Sequence, residues 1–347
     1  MKIAQIAPLA ESVPPSLYGG TERVVSYLTE ELVRLGHEVT LFASGDSQTA
    51  ARLVACAPRA LRLDPGAGDP VPHHLLMLER VRRRAAEFDV LHFHTEHLHL
   101  PLFRAMAGKS VTTLHGRLDS PALAPLYREF QEMPLVSISD SQRRPLPNAN
   151  WIATVRHGLS AEVCPFNPVA RGDYLAFVGR VSPEKGLERA VAIARRSGRR
   201  LRIAAKIDLA DQAYWRARIA PLVDGTFISY IGEVGEAEKP SFLGNAVALL
   251  FPIDWPEPFG LAMIEAMSCG TPVIAWANGS VPEVIEHGVS GLVVESVEAA
   301  ADAVHAALAL DRQRVRQRFE ERFSAARMAR EYLAVYRRLK AGAEVAA

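Results

Sequence analysis

Short apolar runs alternate with stretches of helical period, and that alternation begins twice. Lys2–Ala7 reads as a strand and is followed by a polar, proline-rich loop. Residues 21–39, TERVVSYLTEELVRLGHEV, then place Val24, Leu28, Leu32 and Leu35 on one helical face. Gly36 is a helix stop, and Val39–Phe42 is the next strand. At Tyr174 the pattern restarts: a strand over Tyr174–Val178, a tight turn, a helix over Leu187–Ser197 and a strand over Leu201–Ala205. Strand, helix and strand joined this closely are satisfied by a parallel sheet with helices on both faces. Two such beginnings predict two doubly wound halves. The 347 residues are long for one hydrophobic core, which points the same way. Residues 164–173, CPFNPVARGD, are the best candidate for the linker.

The first half carries further strands at Phe88–His94, Val111–Leu114, Leu135–Ser139 and Trp151–Val155, the last leading to His157–Gly158. Residues 64–72 read as a flexible connection, and His73–Glu87 as a helix with a basic run, Arg80–Arg84. A solvated face is favoured for that run over contact with anionic lipid. Histidines alternate with apolar residues at His92 and His94, and His97 and His99 follow. Four histidines invite a zinc hypothesis, but neither carboxylates nor cysteines are arranged to complete a site. Val111–Leu114 delivers His115 to the carboxyl end of a strand, the edge at which open α/β sheets bind ligands.

The second half holds the densest chemistry. In WPEPFGLAMIEAMSCGTPVIA, residues 255–275, Glu257 and Glu265 bracket seven residues. Glu257 sits in a loop stiffened by Pro256 and Pro258; Glu265 lies about a turn and a half into a helix starting near Gly260, with Leu261, Ile264 and Met267 on its buried side. The amides of residues 259–262, among them Phe259, Gly260 and Leu261, would be unpaired donors where the helix dipole favours an anion. Two acids would repel a bare phosphate. They suit an anion flanked by polyols, because carboxylates accept hydrogen bonds from sugar hydroxyls. The plainer alternative is an ordinary strand–helix unit with a solvated Glu257 and a capping Glu265. Arg180 and Lys185 stand on either side of a tight turn, where a guanidinium fork and an ammonium can reach one diphosphate. Lys206 ends the next strand as a third candidate contact, and Gly19–Gly20 can let backbone approach a phosphate, although a plain turn is the simpler reading.

Lys+Arg 40 against Asp+Glu 39 leaves a net charge of +1, which gives no reason to expect nucleic acid as a partner. Cys56, Cys164 and Cys269 are odd in number and widely spaced, so no disulfide framework or metal pair is predicted, and a reducing cytoplasm is the expected location. The opening MKIAQIAPLAESVPP reads as a first strand rather than a signal peptide, and no apolar run approaches the roughly 20 residues that span a bilayer.

The Glu257–Glu265 stretch, together with Gly179–Gly186, Asn278–Glu283 and Gly288–Leu292, resembles the retaining glycosyltransferases grouped as family 4, over nearly the whole chain. The resemblance implies a GT-B fold: an α/β protein of two doubly wound Rossmann-like domains facing across a cleft, with the last helix crossing back to the first domain. The expected division is 1–166 on the acceptor side, 167–322 on the nucleotide-sugar donor side and 323–347 for the last helix. By the same resemblance Gly19 and Gly20 face the donor phosphates, Arg180 and Lys185 bind them, Glu257 takes the transferred sugar, Glu265 the ribose, and His115 points at the donor sugar or reacting centre. His157 and Ser160 depart from the family pattern, and no role is carried onto them. The implied reaction moves a hexose-type sugar from a UDP-sugar, or second a GDP-sugar, to a hydroxyl acceptor by same-face displacement, with no cofactor and no metal. Tyr18, Glu96, His97 and Arg117 are the candidates to line an acceptor that is a small molecule, a saccharide or a lipid. Peripheral contact with a membrane is not favoured. Three other functions compete: a nucleotide-sugar 2-epimerase of the same architecture, a nicotinamide-dependent dehydrogenase, whose glycine fingerprint is missing, and a nucleotide-sugar-binding protein without transfer activity.

Overall fold

A computed structural model describes residues 1–16, 19–160, 162 and 165–346, with side chains up to residue 342. The chain divides into two compact units, Met1–Gly158 with Ala325–Ala347, and Leu159–Ser324. Each is built around one all-parallel sheet. The two chain crossings thus fall at 158/159 and 324/325, against the sequence expectation of 166/167 and 322/323. Leu159 lies in the second unit, donating its amide to the Phe323 carbonyl and bridging to Ser324.

The first unit has a seven-stranded sheet in the order β3-β2-β1-β4-β5-β6-β7. Its strands are β1 (Lys2–Ile6), β2 (Glu38–Ser44), β3 (Arg52–Ala57), β4 (Val90–Phe93), β5 (Ser110–Thr113), β6 (Leu135–Ser137) and β7 (Trp151–Thr154). The order reverses between β1 and β4, which pair with Gln5 beside His92. β3 escaped the sequence analysis: its burial is irregular, so it shows neither clean alternation nor a continuous apolar run. Helix α1 (Gly20–Arg34) buries Val24, Leu28 and Leu32 as its periodicity predicts, each such side chain contributing about 1.5–3 kcal/mol. Leu35 falls beyond the helix and is exposed. Helix α2 (Pro70–Arg83) starts three residues earlier than the sequence suggested. Asp69 caps it by accepting from the Val71 amide, and Pro70 occupies the first position, where a missing N–H costs nothing. The basic run at its end is tied up locally: Arg82 and Arg83 pair with Glu79, and Arg84 with Glu87.

The second unit has a six-stranded sheet in the order β10-β9-β8-β11-β12-β13. Its strands are β8 (Tyr174–Arg180), β9 (Arg200–Lys206), β10 (Ile228–Tyr230), β11 (Ala248–Phe251), β12 (Val273–Trp276) and β13 (Gly291–Val294). Its order reverses between β8 and β11. The principal helices are α3 (Leu187–Ser197), α4 (Lys239–Gly244), α5 (Leu261–Ser268), α6 (Val297–Leu308) and α7 (Arg312–Phe323). The core joins α3 and α6 to the sheet through Val191, Ile193, Val304 and Ala307. Arg312 at the start of α7 donates to the carbonyls of Asn167, Gly244 and Ala246 and to Thr271 Oγ1, tying that helix to loops at one end of the sheet.

Helix α8 (Ala325–Ala346) belongs to the first unit, where Tyr332 and Tyr336 are fully buried. Among the described residues, no helix is long and apolar enough to cross a membrane.

Candidate functional site

Open parallel sheets bind ligands beyond the carboxyl ends of their strands, where the strand order reverses. In the second unit that point lies between β8 and β11, and the two signature segments converge there. β8 ends at Arg180, and the turn into α3 is pressed against the chain leaving β11. Gly186 has φ +71°, and a Cβ on it would stand 2.0 Å from the Pro252 carbonyl oxygen. Asp254 donates its amide to the Glu184 carbonyl at 2.8 Å. These contacts bring Lys185 Nζ within 2.5 Å of Glu257 Oε2, with the two side chains 17% and 12% exposed. The same ammonium lies 4.7 Å from the centre of the Trp255 ring, a cation–π contact.

The backbone of Glu257 is clasped from the far side. Its carbonyl accepts from the Ser280 amide, and Ser280 Oγ donates to the Phe259 carbonyl. Gly279 has φ +59°, and a Cβ there would collide with both N and O of Glu257 at 2.3 Å. Helix α5 then begins at Leu261 after Gly260, which has φ +82°. By helix geometry its first-turn amides face the end at which the Glu257 loop enters. Its buried set is wider than expected and includes Met263 and Ala266, whereas Leu261 is only half-buried. Glu265, 5% exposed, is met by a residue the sequence analysis did not single out: Lys239 at the start of α4, whose Nζ lies 2.7 Å from Glu265 Oε1. A charged residue opening a short helix in an otherwise unmarked loop was the only signal for it.

Among the described residues Arg180 and Lys185 meet different carboxylates. Arg180 is ringed by Glu184 at 2.7 Å, Asp211 at 3.6 Å and Asp208 at 4.0 Å. Lys206, in register with Arg180 on the neighbouring strand, pairs with Asp208 at 2.9 Å.

In the first unit the order reverses between β1 and β4, and His115 leaves β5 beside that edge. His94 Nδ1 lies 2.9 Å from His115 Nε2, and the His115 and His157 rings stack with centres 5.2 Å apart. The histidine cluster is thus His92, His94, His115 and His157, not the run His92 to His99. His99 bonds Thr112 Oγ1 and stacks on Phe93, and His97 is exposed. Burial holds the imidazoles neutral: His92, His94 and His157 titrate well below the usual histidine range, and His115 at about 3. Among the described residues, no group of three or more His, Cys, Asp or Glu is arranged to hold a metal ion.

Of the candidates to line an acceptor, Glu96 adopts φ +53° and its Oε1 accepts from the amides of His115 and Gly116, both at 3.1 Å. It positions the His115 loop, and burial raises its carboxyl pKa. Arg117 pairs with Asp119 on the surface. Tyr18 lies outside the described residues. Gly19 precedes α1, and a Cβ on it would meet Pro15 Cβ at 2.7 Å, so close packing against the loop accounts for that glycine. Gly20 is the first residue of α1.

Residues 18–171 match the family model of glycosyltransferase family 4, and residues 167–324 match that of glycosyl transferases group 1. The α-maltose-1-phosphate synthase of Mycolicibacterium smegmatis is 30% identical over 186 residues, a stretch spanning 48% of this chain and 48% of that relative. AviGT4, a glycosyltransferase of avilamycin A biosynthesis, superposes with a TM-score of 0.74 at 26% identity over 99% of this chain and 98% of its own. HepE of Anabaena in complex with UDP-glucose has a TM-score of 0.73 at 17% identity, covering 96% of this chain and 99% of its own, a likeness of fold. With two parallel α/β units carrying the two family segments in order, the chain belongs to the group 1, family 4 glycosyltransferases, enzymes of the GT-B fold.

Proposed function

We propose that this transferase moves a hexose-type sugar from a UDP-sugar, with GDP-sugar second, to a hydroxyl acceptor with retention of configuration and without a metal. The observation that carries the reading is the Lys185–Glu257 pair at the reversal point of the second sheet, beside the start of α5. A cation for phosphate and an acid for hydroxyls at adjacent positions fit a sugar diphosphate better than either ligand alone. HepE, which shares the fold, is known in complex with UDP-glucose, so UDP is the first nucleotide to try.

In this reading Lys185, Arg180 with Lys206, and the first-turn amides of α5 (Phe259, Gly260 and Leu261 at its approach) receive the diphosphate. They stabilise the charge that grows on it as the anomeric carbon–oxygen bond breaks, and only the part of that interaction that strengthens in the transition state accelerates the step. Glu257 accepts hydroxyls of the transferred sugar, and Glu265, steadied by Lys239, accepts those of the ribose. Facing carboxylates of a retaining hydrolase include a nucleophile. With both acids assigned to hydroxyls, the acceptor oxygen attacks on the face that the diphosphate leaves, and its proton passes to a phosphate oxygen of the leaving group.

The test is thermal unfolding in EDTA with UDP, GDP, ADP or NAD. A ligand at 100 times its dissociation constant adds about 2.7 kcal/mol to the native state. Stabilisation by UDP or GDP and loss of that effect in Glu265→Ala supports the reading. Stabilisation by NAD alone overturns it, and an inverted anomer in the product overturns the retaining mechanism.

A further inference from the structure

The polar groups behind His115 form a buried chain running from α8 to the sheet edge. Gln5 Nε2 donates to the Tyr336 hydroxyl at 3.1 Å, and Gln5 Oε1 lies 2.8 Å from His94 Nε2. His94 Nδ1 faces His115 Nε2 at 2.9 Å. Tyr336 also meets His92 Nδ1 at 2.7 Å, while His92 Nε2 meets Thr113 Oγ1 at 2.8 Å. Gln5, His92 and Tyr336 are 0% exposed and His94 is 1% exposed.

The proton positions follow by elimination. An amide oxygen only accepts, so His94 carries its proton on Nε2 and donates to Gln5. A neutral imidazole has one N–H, which leaves His94 Nδ1 as an acceptor. His115 Nε2 must then hold the proton that closes the 2.9 Å contact. His115 Nδ1 is left as a bare lone pair, and that atom is buried with no hydrogen-bond partner among the described residues. Turning the Gln5 amide over would reverse every bond and place an orphaned N–H at the same point. Orphaned buried N–H groups are the rarer and costlier kind, which favours the amide with Oε1 toward His94.

We propose that Tyr336, Gln5 and His94 are positioning residues that fix His115 as the Nε2–H tautomer, so that its Nδ1 accepts a hydrogen bond from a hydroxyl of the bound substrate. The inference rests on the glycosyl-transfer reading for the identity of that hydroxyl, but the tautomer is a property of the protein alone. A neutral acceptor selects a hydroxyl donor and turns away a carbonyl or phosphate oxygen, which brings no hydrogen at neutral pH. Burial of the cluster keeps the imidazole from gaining a second proton and changing that preference.

The deciding experiment is nitrogen–proton correlation NMR of the full chain labelled at histidine ring nitrogens, with the His115 signals assigned from His115→Asn. The expected result is a proton on His115 Nε2 and a bare Nδ1 throughout pH 6 to 8. Gln5→Glu keeps an acceptor for His94 and should preserve that tautomer. Gln5→Leu removes it and should let His115 populate the Nδ1–H form, with UDP release from UDP-glucose falling about tenfold in kcat/KM, the equivalent of one hydrogen bond, while UDP affinity holds. A proton on Nδ1 in the wild-type protein overturns the proposal, as does a Gln5→Leu variant unchanged in both tautomer and turnover. If Gln5→Leu does not fold, the wild-type and Gln5→Glu spectra decide. An Nε2–H tautomer without any nucleotide-sugar turnover upholds the relay and defeats the functional reading; turnover with an Nδ1–H tautomer defeats the relay alone.

Discussion

Lys239 holds Glu265 across 2.7 Å with side chains only 12% and 7% exposed, so the second acid of the signature is a nearly dry ion pair. Removing one partner of such a pair strands the other charge, which costs about 3–5 kcal/mol, whereas replacing both can be close to neutral. Lys239→Met should therefore lower stability by roughly 3 kcal/mol, and Lys239→Met with Glu265→Gln should cost less than the sum of the single changes. Urea unfolding of the three variants checks this. Strict additivity would mean that the pair contributes no coupling.

Glu257 differs, because its partner Lys185 is also assigned to the diphosphate. Glu257→Gln keeps the size and hydrogen-bonding reach of the side chain and leaves Lys185 free for phosphate. UDP release from UDP-glucose should fall at least about 100-fold, or ~2.7 kcal/mol of transition-state stabilisation, with UDP affinity held within a few-fold. Calorimetry with UDP beside the kinetics separates the two. If UDP binding falls as far as turnover, Glu257 belongs to the nucleotide and not to the sugar.

What the sequence could show of this depended on range. Strands β1, β2, β8 and β9 and helices α1 and α3 were legible because local periodicity sets them. So was the turn holding Arg180 and Lys185, because its glycine and proline constrain the backbone within a few residues. β3 was missed because its burial follows no regular period. Lys239 and the Gln5–His94–His115 chain were missed because they join residues 26, 89 and 21 positions apart, which no local pattern encodes. Gln5 did carry a sign: a polar side chain inside an otherwise apolar strand is tolerated only if something meets it. The acids beside Arg180 and Lys185 were missed for the same reason where they lie far along the chain, as Asp208 and Glu257 do, whereas Glu184 sits within the same turn as Arg180.

Gly279 ties the Asn278–Glu283 segment to the site. Its φ is +59°, and a Cβ would stand 2.3 Å from two backbone atoms of Glu257. Alanine there meets both an unfavourable backbone conformation, at about 1 kcal/mol, and a collision with main chain that cannot rotate away. Gly279→Ala should destabilise the second unit by roughly 2–3 kcal/mol. By pushing the Glu257 loop it should also depress turnover of UDP-glucose more than it depresses UDP binding. Differential scanning and calorimetry test the two halves; a variant with native turnover would show that the loop relaxes without moving Glu257.

The neutral histidines set a pH dependence for the first unit. His92, His94, His99, His115 and His157 all titrate below the ordinary value of 6.5, chiefly because burial disfavours the charged ring. The folded state therefore binds fewer protons than the unfolded chain once the pH drops below about 6.5, and stability must fall as pH falls. Each histidine adds a slope approaching about 1.4 kcal/mol per pH unit, until the folded ring itself titrates, at about 3 for His99 and His115. Glu22 and Glu96 oppose this, since burial raises their pKa and the folded state takes up their protons first, between that raised value and the ordinary glutamate value, but they are two groups against five. Between pH 7 and pH 5 the histidines dominate. The urea midpoint of first-unit amide cross-peaks should decline steadily across that interval, and His99→Leu should make the decline shallower by about one histidine's share. A flat midpoint would mean that these rings take up protons in the folded protein, and the neutral tautomer chain behind His115 would lose its foundation.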